Sequence, residues 1–229
     1  MTPKVRGDRR MKLYSGPLSL FTAKVRIALA EKGLDYERIE VGWSLANRYE
    51  PHHPEVVARN PRKQVPVLVD GELTVYDSTQ IFEYLEDRYP QPALYPRDVA
   101  GRARCRRLEA DADEILFPLV WSLIEERFYP AGTAGRDTGR AACAAAGVLA
   151  YDERLDRELG GRPYLCGEFS VADIASFIFV AAAASFDTAP PEGLRELGAW
   201  MGRMLARPSV QQEMAQMTAF RASLAAAPG

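Results

Sequence analysis

The sequence predicts an α/β domain followed by an all-α domain. Three observations carry that prediction. A strand–helix–strand pattern occupies residues 11–41. A second strand pair, built on Val65-Pro66-Val67-Leu68 and Leu73-Thr74-Val75-Tyr76, runs straight into an amphipathic stretch. Beyond Gly101 the strand signals stop, and apolar residues recur only at helical spacing. The expected layout is a disordered basic extension at 1–10, a first domain at 11–90, a linker at 91–100 and an all-helical domain at 101–229.

Taken in order, residues 11–14 form a short first strand, and Ser15-Gly16-Pro17 turns out of it. From about 21 to 32 the positions Val25, Ile27, Ala28 and Leu29 recur as on a helix, and Gly33 is its stop. Residues 36–41 form the second strand, so the first two are parallel and joined by a right-handed crossover. Pro51 and Pro54 break any long helix before Asn60, leaving room for a short one near 55–58. Pro66 has no N–H to give a ladder and belongs at the corner entering the third strand, a place suited to a cis bond. Asp70-Gly71 reads as a type I′ hairpin. Ile81, Phe82, Tyr84 and Leu85 then mark a helix starting near Ser78.

The second half begins with a long helical stretch, 102–128, in which Pro118 predicts a kink. A helix over 141–159 follows, and then a turn at 160–163. Residues 170–184 are apolar nearly all round, as a buried core helix is. Its entrance Ser170-Val171-Ala172-Asp173 is a capping-box pattern with Asp in place of Glu. Two further helices are expected over 193–206 and 209–224.

Composition sets limits on function. The 229 residues are 47% apolar, enough for real cores, and the net charge of −2 gives no electrostatic footprint for nucleic acid or acidic membranes. No apolar run approaches the ~18 residues of a membrane span. The polar, basic start does not read as a secretory signal. Cys105, Cys143 and Cys166 give neither a disulfide framework nor a metal-ligand spacing, which points to a reducing, cytoplasmic setting and no metal.

Two features of the 60–90 stretch are binding groups. Val65, turned out at the proline corner, leaves its N–H and C=O free for a ligand's main chain. The helix start near Ser78 offers unpaired N–H groups and a positive dipole end to an anion. A peptide-like ligand with a carboxylate fits both; a plain hairpin with Ser78 as N-cap is the alternative.

The run SGPLSLFTAKVRIALAEKGLDYERIEV after the first strand, Asn60-Pro61 leading to Val65-Pro66, and YLCGEFSVADIASF at 164–177 together resemble the cytosolic glutathione S-transferase family, in its serine-type, bacterial-like form. The resemblance covers nearly the whole chain from Met11. It implies a thioredoxin-like N-terminal domain, an all-helical C-terminal domain, glutathione as co-substrate and a homodimer, with Tyr76, Tyr84 and the arginines of 102–107 available to the interface. It also implies that Ser19, ahead of Lys24-Val25-Arg26, is the catalytic hydroxyl, with Thr22, Ser15 and Tyr14 as rivals. By the same resemblance Val65 with Pro66 pairs the cysteinyl main chain. Ser78 and Asp77 take the γ-glutamyl end, and Gln64, Lys63 and His52 lie toward the glycyl end. Asp77 departs from the family's usual Glu or Gln, and Lys63 from its usual Gly. Leu18, Phe21, Phe117, Trp121, Ile124 and Phe128 would line an electrophile pocket, although aromatics at helical spacing also build cores.

A hydroxyl is sufficient for the chemistry. A thiol of pKa ~8.5 lowered by about two needs roughly 2.7 kcal/mol. One hydrogen bond to a charged group gives roughly 1.5–3 kcal/mol and a helix dipole roughly 0.3–1. The expected activity is glutathione transfer to a small apolar electrophile, as in detoxification. A glutathione-dependent lyase, cleaving aryl ethers or halides, would use the same thiolate. A non-catalytic binding or regulatory protein of the same fold is the reading from a different class.

Overall fold

The computed structural model describes residues 10–44, 46–50, 52–128 and 138–226. Residues 1–9 of the expected disordered extension lie outside the described residues, as does Pro51. Two compact units are present: Met1–Tyr89 with Glu213–Gly229, and the rest from Pro90 to Gln212.

The first unit runs β1 (Met11–Ser15), α1 (Leu20–Glu31), β2 (Tyr36–Glu40), α2 (Pro54–Arg59), β3 (Val67–Asp70), β4 (Leu73–Tyr76) and α3 (Ser78–Arg88). The sheet order is β2-β1-β3-β4. β1 and β2 are parallel, as the crossover requires, and β3 and β4 are antiparallel to their neighbours. This is the thioredoxin-like arrangement. Period-two alternation divides the core: Leu13 and Leu68 are buried on the opposite face from Tyr14, Val67 and Val69, which pack with Val41 and Val56. α1 and α3 pack against each other. Gly33, at φ 63°, ends α1 as expected.

The second unit holds α4 (Val99–Asp111), α5 (Phe117–Phe128), α6 (Thr138–Leu159), α7 (Val171–Ala184), α8 (Arg195–Leu205) and the start of α9 (Pro208–Ala226). α7 is its buried centre, with Phe177 and Phe179 fully enclosed. The capping box at its entrance forms: the Asp173 carboxylate accepts from Ser170 N at 3.0 Å and Ser170 Oγ at 2.9 Å. The same carboxylate also accepts from Leu165 N at 2.9 Å and Trp200 Nε1 at 2.8 Å. The helix entrance, the preceding turn and α8 therefore share one carboxylate.

Four details differ from the sequence reading. The short helix expected near 55–58 is present as α2 but begins one residue earlier, at Pro54 itself, because a first-turn residue needs no N–H. The hairpin corner is Gly71-Glu72, one residue later than read, since Asp70 pairs with Leu73; the positive φ of 63° falls on Gly71, first of the two, where a II′ turn wants glycine. Ahead of Pro118 the helix widens into a π turn at Ala112–Leu116, where Phe117 N–H reaches back to Ala112 O, so the irregularity lies before the proline. The last part of α9, from Glu213, groups with the first unit and not with the helices before it.

Candidate glutathione site

The sheet register brings three segments together. Val67 of β3 lies between Tyr14 of β1 and Tyr76 of β4. The chain leaving β1 (Ser15 to Ser19), the corner entering β3 (Val65-Pro66) and the chain leaving β4 (Asp77-Ser78) therefore emerge at one end of the sheet. Adjacent strands lie about 4.8 Å apart, so these segments span about 10 Å.

At the first segment, Ser19 is the N-cap of α1. Its Oγ accepts from Thr22 N at 3.2 Å. That bond uses an oxygen lone pair and leaves the O–H to donate. The rival hydroxyls are enclosed. Thr22 is fully buried, Ser15 is buried with its Oγ taken by Arg26 at 2.6 Å, and Tyr14 is in the core against the His53 ring at 5.3 Å. Ser19 is half-buried, the open one of the four.

At the second segment the Val65–Pro66 bond is cis. Val65 is half-buried, and among the described residues its main-chain N–H and C=O take no partner. The corner is braced from behind by Asn60, whose Nδ2 donates to Gln64 O at 2.8 Å and whose Oδ1 accepts from Arg62 N at 2.9 Å. The Gln64 and Lys63 side chains are exposed, and Lys63 has φ 56°.

At the third segment Asp77, not Ser78, is the N-cap of α3. Asp77 sits at φ 76°, and its Oδ1 accepts from Thr79 N at 3.0 Å. Its other oxygen pairs with Arg62 at 3.0 Å. Ser78 is the first helical residue; its Oγ is buried and meets no partner among the described residues. A buried hydroxyl without a partner, at a helix N-terminus, is the local signature of a site for an anion. His52 is differently occupied. Its Nδ1 lies 3.2 Å from Tyr49 O and its Nε2 3.0 Å from Glu50, so both ring nitrogens have partners within the protein.

Comparison with known proteins fits this geometry. The N-terminal domain of glutathione S-transferases matches residues 13–93, and their C-terminal domain residues 121–208. Glutathione S-transferase Z1 of Arabidopsis thaliana is 43% identical over 97 residues, 42% of each chain. Maleylacetoacetate isomerase of Pseudomonas aeruginosa is 46% identical over 102 residues, 44% of this chain and 47% of its own. The chain thus spans less than half the length of these curated relatives. A theta class glutathione S-transferase from Xanthomonas axonopodis pv. citri, solved with glutathione bound, is 30% identical with a TM-score of 0.77, over 89% of this chain and 96% of its own. The chain belongs to the glutathione S-transferase family.

The apolar residues named for the electrophile fall in two sets within this transferase fold. In the first unit, Leu18 and Phe21 are half-buried, and Lys24 Nζ stands 5.4 Å from the Phe21 and Phe82 ring centres. In the second, Phe117 packs on Phe179 at 5.3 Å and on Trp121 at 6.0 Å; Trp121 remains 45% exposed. Phe128 meets Phe186 edge-on at 6.2 Å. So Phe117 bridges core and surface, whereas Trp121 presents its ring outward. Among the described residues no group of three or more His, Cys, Asp or Glu side chains could hold a metal, and no helix is long and apolar enough to cross a membrane.

Sequence reasoning missed Arg62 and the reach of Arg26 at this end of the sheet. Arg62 holds Asp77. Tyr49 closes the underside of the first segment: a Cβ on Gly16 would fall 2.7 Å from its hydroxyl oxygen. Burial pushes the Tyr49 pKa well above the ordinary phenol value, so it stays protonated. Arg26, read only as part of a motif, reaches back from α1 to Ser15 and to Gly16 O at 3.2 Å. The signal for Arg26 was its setting among Val25, Ile27, Ala28 and Leu29, all fully buried.

Proposed function

We propose that this chain is a glutathione transferase that presents glutathione as a thiolate to a small apolar electrophile. The observation that supports this most is the convergence of Ser19, Val65 and Ser78 at one end of the sheet. The unpaired Val65 main chain would bond the cysteinyl N–H and C=O of glutathione as an added strand does. Ser78 Oγ and the α3 N-terminus would take the γ-glutamyl carboxylate. Asp77 would face the ammonium in competition with Arg62, and the exposed Gln64 would serve the glycyl end. With that frame held, the cysteinyl sulfur is presented to Ser19. The Ser19 O–H donates to the thiolate, and the α1 N-terminus adds its dipole. The thiolate then attacks the electrophile's carbon and displaces its leaving group, or adds to its double bond. Leu18 and Phe21, beside Ser19 in the chain, are assigned to the electrophile. The active form in this reading is a homodimer, and light scattering at micromolar concentration should give twice the chain mass.

Retention on immobilised glutathione tests binding, and a pH titration of thiolate absorbance tests the chemistry. Ser19→Ala should raise the bound thiol's pKa by about one to two, the loss of one charge-assisted bond. The rate at pH 7 should fall roughly ten- to hundredfold, with part returning at higher pH. Thr22→Ala and Tyr14→Phe should do less. An unchanged titration for Ser19→Ala refutes the assignment, and absence of any thiolate signal in the wild type refutes the catalytic reading. A second reading, glutathione-dependent isomerisation, is favoured by the likeness to the maleylacetoacetate isomerase of P. aeruginosa. Turnover of maleylacetoacetate, without net consumption of glutathione, decides between them.

A further inference from the structure

We propose that Arg26 and Glu213 form a clamp through which the C-terminal helix α9 sets the position of Ser19; the proposal rests on Ser19 being the thiol's partner. The Glu213 carboxylate holds the Arg26 guanidinium with both oxygens, from Nε at 2.7 Å and from Nη2 at 2.5 Å. The remaining arm of the guanidinium points into the loop between β1 and α1. There Nη1 donates to Ser15 Oγ at 2.6 Å and to Gly16 O at 3.2 Å. Gly16 O is also the acceptor for the Ser19 main-chain N–H, at 3.2 Å. One carbonyl is therefore shared between the clamp and Ser19.

The rest of the loop has little freedom of its own. The Tyr49 ring and hydroxyl lie close on the side of Gly16 where a Cβ would stand, 2.7 Å from the hydroxyl oxygen, which leaves little room on that side. The guanidinium holds the Gly16 carbonyl oxygen. α9 is held in register for this task. Glu213, Gln216 and Phe220 recur at spacings of three and four and so share one helical face. Gln216 hydrogen-bonds Arg38 of β2, and Phe220 meets the Trp43 ring edge-on at 6.0 Å. These anchors lie within one compact unit.

The energetics favour positioning over simple stability. The two side chains are 4% and 3% exposed. A buried pair repays its desolvation only with ideal geometry, and a well-packed apolar pair is often as stable or more so. An apolar pair cannot grip Gly16 O or Ser15 Oγ. Burial alone would pull the Arg26 pKa down, but the hydrogen bond and charge of Glu213 more than offset it, so the guanidinium stays charged at all working pH values.

The test compares Glu213→Gln and the double variant Arg26→Met/Glu213→Leu with wild type and Ser19→Ala. The readouts are melting temperature and the thiolate titration of bound glutathione. Glu213→Gln should melt lower, while the double variant should recover much of that loss because no charge is left unpaired. Both should raise the bound thiol's pKa by about 0.5 to 1, part of one charge-assisted bond. Their kcat at pH 7 should fall about three- to tenfold, with a less than twofold change in KM for glutathione. A double variant that melts like wild type and titrates like wild type overturns the clamp. If the double variant does not fold, an unshifted titration in Glu213→Gln overturns it. A shift in Ser19→Ala without one in the clamp variants refutes the clamp alone; no shift in Ser19→Ala refutes the reading on which it rests.

Discussion

Asp152 offers a sharp test of the second unit. It lies on α6 with its side chain fully enclosed, and neither carboxylate oxygen meets a partner among the described residues. Burial pushes its pKa up to about 7. In the unfolded chain an aspartate titrates near ~3.9. The unfolded state thus loses its proton first, and folding stability falls as pH rises from about 4 to about 7, then levels off. Three pKa units at 1.36 kcal/mol each set a ceiling of about 4 kcal/mol for this loss. Asp152→Asn removes the titration while keeping the size and the unpaired polar group. At pH 4.5 the variant should melt close to wild type. At pH 8 it should melt higher, by up to about 8–16 °C at ~2–4 °C per kcal/mol for a chain of this size. Melting curves by circular dichroism across pH 4.5–8.5 give the difference directly. A gap between the two proteins that is the same at every pH would refute the argument, because it would mean that the carboxyl titrates at the same pH in the folded and the unfolded chain.

Three further outcomes are expected. Gly16→Ala should cost about 1–3 kcal/mol of stability by overpacking against Tyr49, and Gly16→Ala/Tyr49→Phe should melt higher than Gly16→Ala, because the nearest clash, 2.7 Å, is with the hydroxyl. The Cys105 thiol donates toward the Cys166 sulfur, which raises the pKa of Cys105 and lowers that of Cys166; limited alkylation followed by peptide mass mapping should label Cys143 and Cys166 and spare Cys105. The Tyr84 hydroxyl, pushed up to about 12 by burial and by its 2.7 Å bond to Asp70, should stay protonated through alkaline titration, and Tyr84→Phe should cost no more than about 1 kcal/mol in chemical denaturation because the bond is only part-buried.

The elements were legible because their signals are local. Gly33 stops α1, Pro66 marks the entry to β3 and Ser170-x-x-Asp173 opens α7, each through a conformational constraint carried by a few adjacent residues. The hairpin shows the limit of such reading. Asp-Gly was given the two turn positions, whereas the cross-strand pairing of Asp70 with Leu73 moves the turn on by one residue. Pro118 shows another: the missing N–H was placed correctly, but its consequence is a widened turn upstream instead of a sharp bend. At the site, the family pattern pointed to Ser19 and Ser78, and the register alone brings their segments to one sheet end. The hold of Arg62 on Asp77 was not visible, because a hydrogen bond between residues fifteen apart, across a whole strand hairpin, leaves no periodic trace.

The buried charges were the hardest to read, and for two different reasons. Arg26 lies inside α1, where every residue from Thr22 to Leu29 is buried, so a charge there requires a partner. Its partner is 187 residues away, on a helix whose own pattern gives no strong apolar stripe, and only the folded chain brings the two together. Asp152 is the opposite case. It stands among charged neighbours in YDERLDRE, which reads as a solvated stretch. Yet Val148, Asp152, Leu155 and Leu159 follow one another at helical spacing, and all four are buried. The aspartate occupies a place in an apolar stripe, and the stripe, set by the packing of α6 against α5 and α8, overrides the local charge. With Arg26, a long-range partner compensates for burial. With Asp152 nothing does, so its proton must take that role, and the carboxyl stays neutral until the pH approaches 7.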